Sequence, residues 1–206
     1  MIANMKKRNR TKLLDRQYNN RDATLFVIAT EGRETEKQYF SMFRDSRIKI
    51  EILPTGEDNK SAPQYVLDRL DEFAQKYNMT PEDTLWLIFD VDRWGVKNIS
   101  AICREAKQKN YQLGISNPCF EAWLYLHFDD LDPNDTTCKD VEARLRNKLG
   151  CYNKSNLDLD SFKDYIEDAV KRANNLHPHH QQHWPPTPGS HVYRVIQMLL
   201  NALKQW

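Results

Sequence analysis

Two runs of the chain, Leu25-Phe-Val-Ile-Ala-Thr30 and Leu85-Trp-Leu-Ile-Phe89, are apolar at successive positions instead of alternating with polar residues. A strand apolar on both faces must be covered on both faces, and this is the condition of a central strand in a parallel sheet. Each run ends in acid: Glu31 follows the first, and Asp90 and Asp92 follow the second. If the two strands lie side by side, three carboxylates meet at one sheet edge, and a divalent cation is their natural partner.

The remaining pattern fits that frame. Ile48, Ile50 and Ile52 alternate as a second strand, and Tyr111 to Ser116 reads as a fourth, less deeply set. Helices are expected from Glu34 to about Arg44, after a loop at 54–61 with Ser61 as cap, and from about Ile99 to Lys109. The order strand, helix, strand, helix predicts an α/β fold with a parallel four-stranded sheet between helices. From Asn117-Pro118, taken as cap and first turn, the sequence is helical: an apolar stripe of Phe120, Trp123, Leu124 and Phe128, then about 138–149, 160–175 and 190–205. The expected organisation is a basic arm over 1–21, a catalytic domain over 22–130, and a helical C-terminal region over 131–206.

The 206 residues suffice for one domain with a full core, or one domain and a small extension. A net charge of +1 leaves affinity for a polyanion to local clusters such as Lys6, Lys7, Arg8, Arg10, Lys12 and Arg16. Four dispersed cysteines match neither a zinc ribbon nor a disulfide framework. Without a signal-like or membrane-length apolar run, a cytoplasmic setting with no membrane partner is expected.

Each candidate has a plainer reading. Asp90 and Asp92, two apart, face one side of the strand end, although aspartate is also common in the turn after a strand. Gly32 permits a sharp turn or close approach beside Glu31. Glu36, one turn into the next helix, either looks back at the same edge or complements the helix dipole. Glu121, in the first turns of an apolar helix, either caps its end or reaches a cation. The loop histidines His177, His179, His180 and His183 lack carboxylate or cysteine partners at regular spacing and are read as an exposed proline-rich loop.

The segments Ile28-Ala-Thr-Glu-Gly-Arg-Glu-Thr-Glu-Lys-Gln-Tyr-Phe40, Phe89-Asp-Val-Asp-Arg-Trp94 and Ile115-Ser-Asn-Pro-Cys-Phe-Glu-Ala-Trp-Leu-Tyr-Leu-His127 resemble the RloB-like family, also represented by the AbiL phage-resistance proteins. That family is similar in turn to Toprim domains. The resemblance extends to Lys148–Lys154 and, loosely, to Thr187–Arg194. It implies a Toprim-like Rossmannoid sheet in which Glu31 corresponds to the Toprim glutamate and Asp90 and Asp92 to its D-x-D pair. Glu36 and Glu121 resemble the acids with which nuclease branches hold a second metal; the Glu31-to-Glu36 spacing differs from that of the lysogenization-defect branch. The expectation is therefore a nuclease using Mg2+ or Mn2+, with two ions about 3.5–4 Å apart, acting on RNA or DNA. The resemblance implies a role in abortive infection beside an AAA- or ABC-type ATPase, since the chain has no Walker motif of its own. Arg93, Lys60, Lys148 and Lys154 are the candidates for holding substrate phosphates. Two rival readings remain: an adaptor that binds a partner ATPase or regulatory cation through the acidic edge, and a primase-like nucleotidyl transferase, which needs a template-binding module not evident here.

Overall fold

The computed structural model describes residues 23–56, 61–91, 94–176 and 182–204. Its elements run β1 (Thr24–Thr30), α1 (Thr35–Phe40), β2 (Ile48–Leu53), α2 (Pro63–Lys76), β3 (Thr84–Ile88), α3 (Val96–Gln108), β4 (Gln112–Leu113), β5 (Ser116–Asn117), α4 (Phe120–Tyr125), α5 (Cys138–Leu149), α6 (Asp160–Lys163), α7 (Ile166–Leu176), β6 (Gly189–Ser190) and α8 (Tyr193–Lys204). The main sheet has the order β2-β1-β3-β4 and is parallel throughout. This is the α/β architecture that the uninterrupted apolar runs require.

Alternation along the central strands sorts the core into two layers. Phe26 and Ile28 of β1, with Trp86 and Ile88 of β3, face α1, α4, α5, α7 and α8. Leu25, Val27 and Ala29, with Leu87 and Phe89, face α2 and α3, which contribute Val66, Leu67, Leu70, Phe73, Ile99, Ile102 and Ala106. Each such large side chain contributes about 1.5–3 kcal/mol on burial, so both layers are needed to hold the sheet. The helical C-terminal part covers the first layer through Val195, Ile196 and Leu199.

β2 and β3 lie on opposite sides of β1, so the chain reverses direction across the sheet at the carboxyl ends of β1 and β3. A crevice forms at such a point in open parallel sheets. Glu31 and Asp90 leave their strands there. The Glu31 N–H still donates to the Ile88 carbonyl at 2.8 Å, which carries the β1–β3 pairing one residue beyond the strand.

Several local expectations change. The fourth strand is not continuous over 111–116: β4 covers two residues, and β5 pairs antiparallel with β6. The chain nevertheless stays against β3, because Gly114 N–H donates to Leu87 O at 2.9 Å and Ser116 N–H to Phe89 O at 3.1 Å. Ile88 Cδ1 fills the space of a Cβ at Gly114, at 2.4 Å, which makes the glycine the condition of that approach. Ala62, not Ser61, precedes α2, with Pro63 supplying the fixed φ of its first turn. Cys119, not Asn117, precedes α4; the Asn117 amide instead donates to Pro185 O at 3.0 Å. The helix expected over 160–175 is two, α6 and α7, and α3 begins at Val96, earlier than Ile99. The basic arm, Lys60, Asp92, Arg93, His177, His179 and His180 lie outside the described residues.

Candidate acidic centre at the sheet edge

The site begins with how β1 ends. Thr30 Oγ1 donates to Gly32 O at 2.8 Å, Thr55 Oγ1 to Glu31 O at 2.7 Å, and Arg69 Nη2 to Thr30 O at 2.6 Å, so three side chains fix the backbone that carries Glu31. The Glu31 carboxylate turns toward the neighbouring strand. Its Oε2 accepts from the Asp90 N–H at 3.0 Å, and both oxygens lie 3.3 Å from Trp94 Nε1.

Glu36 occupies the first turn of α1 and is 4% exposed. Its Oε1 accepts the Gly32 N–H at 3.0 Å. An added Cβ at Gly32 would sit 1.9 Å from Glu36 Oε2, so only glycine allows this carboxylate to fold back over the turn. The carboxylate lies over the turn between β1 and α1, where it accepts both the Gly32 N–H and its own backbone N–H.

Glu121 enters from α4, also 4% exposed. Tyr152 Oη donates to its Oε1 at 2.9 Å, and Lys154 Nζ is 2.9 Å from the same atom while also 2.6 Å from Glu142 Oε1. Lys154 is placed by α1, for its carbonyl accepts from Gln38 Nε2 at 3.0 Å and from Thr35 Oγ1 at 3.3 Å.

The protonation of these groups reveals one electrostatic unit. Burial pushes Glu36 up to about 7, with the charges of Glu121 and Glu31 adding to it. Asp90 is pushed well above the usual carboxylate range, by burial first and then by Glu31, Glu36 and Glu121. Glu121 is lowered: burial opposes its charge, but Lys154 and the Cys119 thiol outweigh that. Four acids from β1, α1, β3 and α4 thus act on one another across the crevice, and the Lys154 ammonium stands on Glu121.

A match to the family model described as RloB-like protein spans residues 26–199. The chain belongs to the RloB-like family. No curated protein and no solved structure matches it. The matched span runs from the first central strand into α8 and includes all four acids.

For this RloB-like chain the structure brings Glu31, Glu36, Asp90 and Glu121 to one edge. Lys154 stands on Glu121, and Lys148 pairs instead with Asp129 at 3.4 Å. His183 lies beside α8 and β4, away from the acids. Tyr152, the indole N–H of Trp94 and the Cys119 thiol complete the site; nothing in the spacing of these residues marks them, because each reaches it from a separate loop or turn. The donors suit magnesium or manganese, since all are hard carboxylate oxygens. Among the described residues, no group of three or more His, Cys, Asp or Glu is placed so that it could hold a metal ion. No described helix is long and apolar enough to cross a membrane.

Proposed function

We propose that this protein is a Toprim-type, metal-dependent nuclease that hydrolyses phosphodiester bonds in RNA or DNA, in anti-phage defence with a partner ATPase. The observation that carries the reading is the convergence of Glu31, Glu36, Asp90 and Glu121 on the carboxyl edge of adjacent parallel strands, where burial first and their neighbours' charges second raise Glu36 and Asp90. Carboxylates so placed cost free energy without a cation, and a fold retains them where a cation is bound.

Glu31, Asp90 and Glu36 would hold the ion or ions, with Asp92 as the second acid of the D-x-D pair and Glu121 on the far side. Bound there, Mg2+ supplies a nucleophilic water and stabilises charge on the phosphate oxygens. The chain's own part is positional. Thr55, Arg69 and the Gly32 turn fix the carboxylate carriers, and the Trp94 indole orients Glu31. Lys154 can leave Glu121 for a substrate phosphate while keeping Glu142 as partner.

A second reading, an adaptor that presents this edge to an ATPase, is favoured by one observation. Glu121 already has Lys154, and Glu31 already has two N–H donors. Incubation of the pure protein with Mg2+ or Mn2+ and mixed nucleic acids, alone and with the ATPase, separates the two. Cleavage that disappears in both Glu31→Ala and Asp90→Ala establishes the nuclease. Cleavage that survives both marks a contaminant, and none under any condition leaves the adaptor.

A further inference from the structure

The edge of the sheet opposite β4 is open and positively charged. β2 ends the strand order, so among the described residues one side of it has no strand partner. Thr24 is in register with Ile48, and its N–H donates to Arg47 O at 3.2 Å. In a parallel ladder this register turns the backbone groups of Arg47, Lys49 and Glu51 toward β1, and those of Ile48, Ile50 and Ile52 outward. Ile48 pairs locally with Asp45 in a short antiparallel bridge. Among the described residues the outward groups of Ile50 and Ile52 have no such partner, and they form a template for a further strand.

Beside this edge, α1 and the chain that follows it enclose a groove of about 520 Å³. Phe40, Ile50 and Ile52 make part of it apolar; the phenyl ring is buried, and the isoleucines are half-buried against the core. Lys37, Arg44 and Lys49 also line it, all exposed and none with an ion-pair partner among the described residues. The acid among the described lining residues is Asp45, and it is already engaged. Arg47 Nε and Nη2 donate to its two oxygens at 2.6 and 2.7 Å, and the Arg47 N–H adds a bond at 2.9 Å. Three cations are left without a counter-charge beside an aliphatic wall and an unfilled strand edge.

Each feature restricts the occupant. Outward backbone groups take an extended chain, the isoleucines take aliphatic side chains, and the cations take carboxylates. Nucleic acid fits less well, because the aromatic residues of the lining, Phe40 and Phe43, are both buried and offer no ring to a base. A second copy meeting this edge about a two-fold axis would bring the same three cations to the contact.

We propose that the β2 edge and the Lys37–Arg44–Lys49 groove dock an extended segment of another protein, acidic and aliphatic in alternation, as an added strand. The site does not depend on the nuclease reading. α1 joins the two regions, since it carries Glu36 at the acidic centre and Lys37 and Phe40 in the groove.

The probe is a synthetic peptide of alternating glutamate and valine, titrated into isotope-labelled protein and followed by the shifts of backbone amides. A lysine–valine peptide and a single-stranded oligonucleotide are titrated in parallel. The glutamate–valine peptide should move the Ile50 and Ile52 amides, and the lysine–valine peptide should leave them in place. Lys37→Glu combined with Arg44→Glu, both on exposed positions, should weaken peptide binding about tenfold. Lys171→Glu on the exposed face of α7 should not. Ile50 and Ile52 amides that stay in place at millimolar peptide, that respond equally to the lysine–valine peptide, or that respond unchanged in the double variant overturn the proposal. Tighter binding of the oligonucleotide at these amides assigns the groove to nucleic acid, and sedimentation that shows wild-type self-association lost in Arg44→Glu assigns it to a second copy; either result overturns the docked segment.

Discussion

Glu31 accepts two kinds of hydrogen bond, from a neighbouring strand's backbone and from an indole, and this fixes where its oxygens point. The backbone bond cannot be removed by substitution, whereas the indole bond can. Groups that orient a metal-binding carboxylate are generally worth ten- to a hundredfold in affinity. Trp94→Phe retains the aromatic ring against the α2–α3 layer and loses the N–H donor, so it is expected to weaken Mn2+ binding by about tenfold or more while leaving the unfolding midpoint nearly unchanged. Calorimetric titration with Mn2+ beside a denaturant melt checks both halves. Equal metal affinity in variant and wild type would show that the indole packs without orienting. At Gly32 the constraint is steric. Gly32→Ala places a methyl group 1.9 Å from Glu36 Oε2, which must leave the Gly32 N–H. Its effect on catalysis should vanish in a Glu36→Gln background, because neighbours that share one contact are not additive. Turnover of the two single variants and the double variant tests this, and strict additivity would disprove it.

At the scale of elements, α1 and α4 are joined by a buried polar bridge. Tyr39 Oη and His127 Nε2 are 3.0 Å apart, and His127 Nδ1 is 3.1 Å from Trp123 O. The ring is therefore neutral, with Nδ1 as donor and Nε2 as acceptor, and burial lowers its pKa to about 4. Tyr39→Phe strands the ring nitrogen and is expected to cost about 1–3 kcal/mol, seen as a lower urea midpoint at constant m. The sign for pH follows. The unfolded histidine titrates near 6.5, so the contribution is complete above that value and lost as pH falls toward 4. This bridge also shows what the sequence discloses. Tyr39, Phe40 and Phe43 are legible as an inner face from helical spacing, and the apolar runs dictate the sheet. Period alone cannot tell that Tyr39 meets His127, 88 positions away. The acids were legible in the same measure: strand ends place Glu31 and Asp90, since a parallel pairing puts equivalent ends together. Lys154 was visible as a cation near the family's later motif, but its partner Glu121 depends on Gln38 and Thr35 holding a loop 116 and 119 residues away. The short β4 and its departure at Gly114 escape a pattern reading, because nothing in the period marks Gly114 as lying against the Ile88 side chain of the adjacent strand.

For the molecule as a whole, the acidic edge carries a stability penalty that depends on pH. Glu36 titrates at about 7 in the folded state, against about 4.5 as an ordinary glutamate. Between those values the folded protein binds a proton that the unfolded chain has released, so stability falls as pH rises from about 4.5 to 7 and the full penalty is present above that window. A shift of that size is worth about 3 kcal/mol, and Asp90, raised in the same direction, adds to it. In EDTA, the melting temperature is therefore expected to decline from pH 5 to pH 8. His127 acts the other way below 6.5, so the Glu36 contribution is read as the difference between wild type and Glu36→Gln over pH 5 to 7, in which His127 cancels. Glu36→Gln, which carries no proton to lose, should flatten that decline and melt higher than the wild type at pH 8. Saturating Mg2+ should restore the wild type but not the variant, since binding to the folded state alone raises stability by mass action. Scanning calorimetry at four pH values, with and without Mg2+, reads both effects at once. A difference between wild type and Glu36→Gln in EDTA that holds level from pH 5 to 7 would mean that burial and the neighbouring carboxylates do not raise Glu36, and the metal would then have no electrostatic reason to bind there.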